Sequence, residues 1–430
     1  MVLKILIAGV FWVLTGCVGA ATNATNTDAV EVESRERITT QIQITPTIDL
    51  TPQPTLIAPQ PSTVALWFPE TLAPLDNVEA AEMLSQQISA FQNEGVAVDF
   101  RLKSVDDVGG IMPTLRAASA VAPSVLPDLT LLRRSDLVAA ADAGLIVPIN
   151  ERAIAAILGN YAPIVRSLGR VEGVLYGLPY NLDVQHLVGT MVFTAGDFDA
   201  MLESSTPLIF PAGATNTISD VLLAQYREAA GLLQDNGLEI EIDSLRTVFS
   251  YYERAVNAGL IDTTVLEYTE PDEYADLLIS GNVAGVVTST LYLDLLHEDD
   301  GENLSYASIP TVSGEGTTLV DGWMWVITTR DAGEQAVALR FISWMMDTER
   351  QAAYHQLIDR LPSQETALSL WEDADYAAFV AGLLAQGTLP LVGGESAITA
   401  RAISSAFASV LAGRESAVTA AGDVLRQLEG

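Results

Sequence analysis

Residues 127–150 read PDLTLLRRSDLVAAADAGLIVPIN, and this stretch decides the fold. Within it, 128–132 is a short apolar run of the buried-strand type, and 136–143 follows as a short helix. The same alternation extends upstream. Residues 63–68 (TVALWF) form a β-rich run, and 77–91 then carries Ala80, Met83, Leu84, Ile88 and Phe91 at helical spacing. Residues 96–102 (VAVDFRL) alternate as a strand does, and 111–121 is helix-like. Strands alternating with helices imply an α/β fold whose parallel sheet is covered on both faces.

The chain has 430 residues, roughly three times the ~150-residue domain prior, so two lobes or domains are expected. With 49% hydrophobic and 18% charged residues it can bury enough apolar surface to offset its ordering entropy, which excludes global disorder. Lys+Arg number 21 against 55 Asp+Glu, a formal charge of -34. Such a polyanion is repelled by phosphate backbones, so no nucleic-acid partner is expected. Lys4 and Lys103 are the only lysines, so a cationic recognition group here is an arginine with its planar fork. Cys17 is the sole cysteine, which rules out an intrachain disulfide or a cysteine-based zinc site. His186, His297 and His355 lie far apart in sequence, and neither a metal nor a cofactor is expected.

Lys4 precedes an apolar run over 5–14, long enough for an export signal and too short to span a bilayer. The run ends in Leu14-Thr15-Gly16-Cys17, which resembles the lipobox of bacterial lipoproteins. The resemblance implies a signal peptide over 1–16 and a diacylglycerol-modified Cys17 as the first mature residue. Residues 17–62 are then a tether, rich in Thr, Asn, Gln and Pro and unable to make a packed core. The expected location is the extracytoplasmic face of a membrane, held by lipid.

Five segments in order resemble the bacterial family 1 extracellular solute-binding proteins, the substrate-binding lipoproteins of ABC transporters, sugar-binding type. The first is 127–150. The second is EGVLYGLPY at 172–180, and the third FSYYERAVNAGL at 249–260 followed by YADLLISGNVAGVV at 274–287. Ile309-Pro310 with Asp321-Gly322-Trp323 comes next, and the helix 334–346 with Arg360-Leu361-Pro362-Ser363 completes the series. The resemblance implies a two-lobe periplasmic-binding-protein-like fold (type II) with the ligand cleft between the lobes. It places the first lobe at 63–180, the second at 185–318, a return to the first at 324–362, and C-terminal helices over 363–430, mainly on the second. Crossings are expected near 180–184 and 318–323. The chain departs from the family at 188–193 (VGTMVF) and 198–202 (FDAML), where an expected aromatic is missing.

A sugar needs flat apolar faces for its C–H surface and planar polar groups for vicinal hydroxyls. Candidates sit at strand exits and crossings: Trp67 and Glu70 after the first strand; Arg133, Arg134 and Asp136 after the third; Tyr180, Asn181 and Asp183 at the first crossing. Phe210 lies in the Pro- and Gly-punctuated stretch 206–216, expected as a strand and loop of the second lobe. Thr288 and Ser289 end the strand at 283–287, and Asp321 and Trp323 mark the second crossing. Bland roles compete: Trp67 as core, Asp136 and Thr288 as helix caps, the arginines as a solvated turn. Trp325 and Trp344 read as core.

The expected function is capture of a mono- or oligosaccharide by a monomer and its delivery to a membrane permease, with no bond made or broken. A binding protein feeding a sensor is one rival; a carbohydrate-active hydrolase, with two carboxylates across the cleft, is another. The adjacent pairs Asp106-Asp107 and Asp299-Asp300 read as solvated turns. Replacing the acylated thiol tests the anchor: Cys17→Ala should abolish metabolic labelling with fatty acid and release the body from membranes, and retained attachment would remove the anchor.

Overall fold

The computed structural model describes residues 62–429, except 75, 106–108, 191–195, 215–216, 231–232, 235–236, 239, 299–300 and 393–396. Cys17, the signal, the tether up to residue 61, both paired aspartates and residues 191–193 of the 188–193 departure lie outside the described residues.

Two sheets organise the body. Strands β1 (Ser62–Pro69), β2 (Val96–Lys103) and β3 (Leu129–Arg133) pair in parallel, with β1 between the other two. β1 and β3 bury side chains on both faces, as a strand covered on each side by helices must. Within this sheet the expectation of a parallel arrangement holds only for these three. The sheet continues as β2-β1-β3-β10-β4, and both β10 (Trp323–Ile327) and β4 (Gly177–Pro179) pair antiparallel to their neighbours. The reason is topological: β10 returns from the second sheet at the carboxyl end of β3 and therefore runs against it.

The second sheet is built on one long strand, β5 (Asn181–Gly189), which follows β4 after the single residue Tyr180. Against β5 lie β7 (Ala284–Thr288), β8 (Ser305–Ala307), β9 (Thr318–Asp321) and β11 (Leu361–Pro362), all antiparallel. β6 (Leu208–Ile209) and β12 (Gly387–Thr388) extend the edges. The stretch 206–216 thus supplies only a two-residue edge strand; the strand leading this sheet is the continuation of the first crossing.

Each sheet has its own aromatic packing. Under the first crossing, Trp325 meets Phe68, Tyr180 and Phe341 at centroid distances of 5.9, 5.0 and 5.9 Å, and all four are fully buried. On the outer face of the second sheet, Phe407 from helix Ala397–Leu411 packs on Phe249 and Tyr252 of helix Ile242–Asn257, at 5.8 and 4.6 Å. Helix Ala374–Ala385 covers the other side, where the Tyr376 hydroxyl lies 2.9 Å from Nε2 of buried His186.

The chain passes between the sheets at Tyr180, at Gly322 and around Leu361–Pro362, and the three passages are tied together. The Tyr180 N–H donates to the Trp323 carbonyl (2.8 Å), and the Trp323 N–H donates to Oδ1 of Asn181 (2.8 Å). The Tyr180 carbonyl accepts from Nε2 of Gln351 (2.7 Å), and Ser363 Oγ donates to the Pro179 carbonyl (2.7 Å). Gly322 sits at φ 155°, and a Cβ there would stand 2.2 Å from the Asn181 carbonyl oxygen. Gly322→Ala is therefore expected to cost about 1–3 kcal/mol and lower Tm by several degrees. An unshifted thermal melt would show that the crossings need no such approach.

Candidate functional site

Where the strands of two α/β sheets end facing one another, ligands lodge beyond their carboxyl ends. Here a cavity of about 730 Å³ opens between the two sheets, with the crossings as its floor. From the first sheet come Thr71 and Leu72 after β1, Arg133 at the end of β3 and Trp323 at the start of β10. The second sheet and its loops supply the rest, including Asp183, Gln185, Asp220, Glu270, Thr288 and Asp321.

The cavity brings together part of what the sequence suggested. Arg133, Asn181, Asp183, Thr288, Asp321 and Trp323 line it. Trp67 faces away; it is 4% exposed and lies under Nζ of Lys103, 4.6 Å from the ring centroid. Tyr180 is wholly interior, packed 4.5 Å from the ring of His355, and Phe210 is buried against Tyr252 and Phe407. Glu70 is exposed at the start of a 3-10 turn whose next two residues reach the cavity in its place. Arg134 spends its guanidinium on the carbonyls of Leu168 (2.6 Å) and Arg170 (3.1 Å). Asp136 sits in the first turn of helix Arg134–Asp142 and does not line the cavity. Thr288 lines the cavity and also caps helix Ser289–Leu295, accepting from the Leu291 N–H. Ser289 is buried and supports the site from behind: its hydroxyl donates to Oδ1 of Asp183 (2.9 Å) and accepts from the Val184 N–H (3.1 Å). Trp325 is core, whereas Trp344 is only half-buried, stacked under Arg350 at 3.5 Å.

Other lining groups carry no linear signature. Asp220, at the start of helix Asp220–Glu228, receives Nε2 of Gln185 (2.8 Å). Glu270 and Asp272 come from the loop before helix Ala275–Ser280, and Asp294 holds Arg360 (2.9 Å). Arg360 alone stood within a quoted motif.

Confinement sets the electrostatics. Burial pushes Asp321 up to about 6, only partly offset by the Gly322 N–H, and the neighbouring Asp183 charge adds to the rise. Asp220 is likewise up to about 6, chiefly through the protein packed around it, with the charges of Asp321 and Glu270 contributing; its side chain still opens onto the cavity, so water reaches it. Asp183 is raised by burial against the lowering bonds from Thr290 and Ser289. Glu270 is raised by burial and by Asp272 and Glu273, while Arg133 of the first sheet pulls it down. Among the described residues no group of three or more His, Cys, Asp or Glu could hold a metal ion.

Carboxyls raised above their unfolded value of about 3.9 hold extra protons in the folded state, so stability falls as pH climbs from about 4 through 6. Asp321→Asn keeps an acceptor for the Gly322 N–H and removes this loss. Its Tm should exceed the parent's at pH 7 and converge with it below about pH 4. Melts across that range check it, and a lower Tm for the variant at pH 7 would contradict it.

A family model for bacterial extracellular solute-binding protein matches residues 86–380. No curated protein matches the chain. Solved structures similar in fold include maltose-bound MalE3 of T. maritima, 14% identical with a TM-score of 0.62 over 86% of this chain and 99% of that one. The cyclic alpha-maltosyl-1,6-maltose binding protein from Arthrobacter globiformis is 13% identical, with a TM-score of 0.68 over 86% and 98%. The sugar-binding protein MalE from Xanthomonas citri is 17% identical, with a TM-score of 0.65 over 86% and 96%. At such identities the likeness establishes a shared two-lobe fold. With the family match spanning more than half its length, the chain belongs to the bacterial extracellular solute-binding proteins.

Proposed function

We propose that this protein captures a small hydroxylated solute, a mono- or oligosaccharide, by closing its two lobes, and delivers it to the permease of an ABC importer. The observation that carries the reading is the polar cavity lined from both sheets, whose floor is the pair of strand crossings. A ligand touching both walls stabilises the closed arrangement in proportion to its differential affinity for it. The similar proteins from T. maritima, Arthrobacter globiformis and Xanthomonas citri are named for maltose, a cyclic maltosyl sugar and sugar respectively, which favours a carbohydrate here. Family membership supports an extracytoplasmic location, and the Leu14-Thr15-Gly16-Cys17 motif supports a lipid anchor that keeps the body near its permease.

Capture makes and breaks no bond. The register supports this over hydrolysis: Asp183 stands opposite Asp321 on the neighbouring strand of one sheet, rather than facing an acid across the cleft.

A thermal-shift screen of sugars, polyols, amino acids and oligopeptides should give a stabilising sugar, since a ligand of the native state raises Tm. Small-angle scattering with that sugar should then show a smaller radius of gyration. Stabilisation by peptides alone would overturn the carbohydrate, and an unchanged profile at saturation would overturn closure.

A further inference from the structure

Asp183 and Asp321 are cross-strand partners in an antiparallel pair, so their side chains leave the same face of the sheet directly opposite one another. Neighbours in that register lie about 4.5–5.5 Å apart at Cβ, and like charges there destabilise the pair. No guanidinium is bound between them. The Arg134 backbone N–H and the charge of Arg133 favour an ionised Asp321, and Arg360 favours an ionised Asp183, but burial outweighs them, and the Arg134 guanidinium gives its hydrogen bonds to two carbonyls. The imbalance extends along the whole second-lobe wall. Asp183, Asp220, Glu270, Asp272, Asp294 and Asp321 line the cavity against Arg133 and Arg360. Arg360 is already held by Asp294 at 2.9 Å, and no lysine is among the described lining residues.

The apolar side of the cavity is equally specific. Trp323 is the only aromatic among the described lining residues, it is 5% exposed, and the Arg133 guanidinium covers its ring at 4.9 Å. A sugar ring, neutral or charged, therefore finds little open flat face for its C–H surface, and the polar groups have to carry its recognition. Among the described residues the acids do not gather in a group of three or more that could hold one metal ion. Beside them the amide oxygen Oε1 of Gln185 accepts no hydrogen bond from the protein, leaving an acceptor that suits a donor-rich ligand.

We propose that the solute captured in this cavity carries a protonated amine beside its hydroxyls, an amino sugar rather than a neutral one, with the amine seated against the opposed carboxylates of Asp183 and Asp321. The proposal rests on the sugar-capture reading and narrows it. An ammonium supplies several N–H donors and one positive charge, which relieves the Asp–Asp repulsion and forms charge-assisted hydrogen bonds in a confined site. The remaining acids then take the ring hydroxyls. The raised carboxyls fit this arrangement, since a cation beside them favours the ionised form that burial disfavours.

Calorimetric titration of the full-length protein decides the matter. The probes are glucosamine and its β-1,4-linked dimer and trimer, each beside its N-acetylated form and its all-hydroxyl counterpart. The amine forms should bind about tenfold or more tighter than either partner. Asp183→Asn and Asp321→Asn should each reduce that preference to a factor of about three or less. Asp220→Asn, on a wetted side chain, serves as a second reading of the acidic wall should a floor variant melt early. Equal binding of neutral and amine forms would overturn the inference and leave sugar capture standing. A preference that survives in every variant would overturn the seating at these carboxylates, and failure of all amine probes to bind would overturn the inference itself. Binding of an acyclic diamine with no sugar bound would instead overturn the sugar reading and keep the demand for positive charge.

Discussion

The Asn181 side chain and the backbone of Gly322 hold the two strand crossings in contact, and the geometry of the cleft follows from that contact. Asn181 Oδ1 takes the Trp323 N–H, while Gly322 lets the Asn181 carbonyl come closer than any side chain would allow. With those points fixed, Asp183 two residues beyond Asn181 and Asp321 one before Gly322 fall into register. The third passage is drawn in as well, because Gln351 and Ser363 both bond to the Pro179–Tyr180 carbonyls. Buried amides that each hold a backbone group trade little net stability for a unique alignment, since each unmade bond there would be costly.

That alignment places acids where they oppose one another. Asp183 and Asp321 are held by hydrogen bonds from Ser289, Thr290 and the Gly322 N–H, which orient the carboxylates without cancelling their repulsion. Sites built for binding commonly retain such unfavourable terms, because the ligand removes them and the difference appears as affinity. Among the described lining residues the first lobe offers the complementary sign at Arg133, which draws down both Glu270 across the cavity and Asp321 at its floor. The two walls thus attract at their rim, while at the floor burial still outweighs the bonds and charges that favour ionised carboxyls.

The sequence makes the framework legible because periodicity and motif order are local. The alternation around 127–150 and the crossings near 180 and 322 are read from consecutive residues, and the structure has strands and chain passages there. Strand direction is not local, which is why the antiparallel return of β10 could not be read from alternation. Side-chain facing is not local either. Trp67 and Tyr180 stand at a strand exit and a crossing, yet their rings turn to the core, since a two-sided strand presents an aromatic inward on either face. Asp220 and Glu270 escaped notice for the opposite reason: nothing in a helix start or a Pro-Asp-Glu loop marks it as cavity wall until distant elements fold around it.

Rigid lobes and a narrow connection are what a hinge requires, and the distribution of aromatics supplies both. Phe68, Trp325, Phe341 and Tyr180 lock the first lobe up to the crossing itself, and Phe249, Tyr252 and Phe407 lock the outer layer of the second. Close-packed aromatic cores deform little, so a change of interlobe angle has to be absorbed by the few residues of the crossings. Those residues carry Asp183 and Asp321 between them. Closure and charge neutralisation therefore act on one short stretch of backbone, and a cation that settles the floor also biases the angle at which the walls meet.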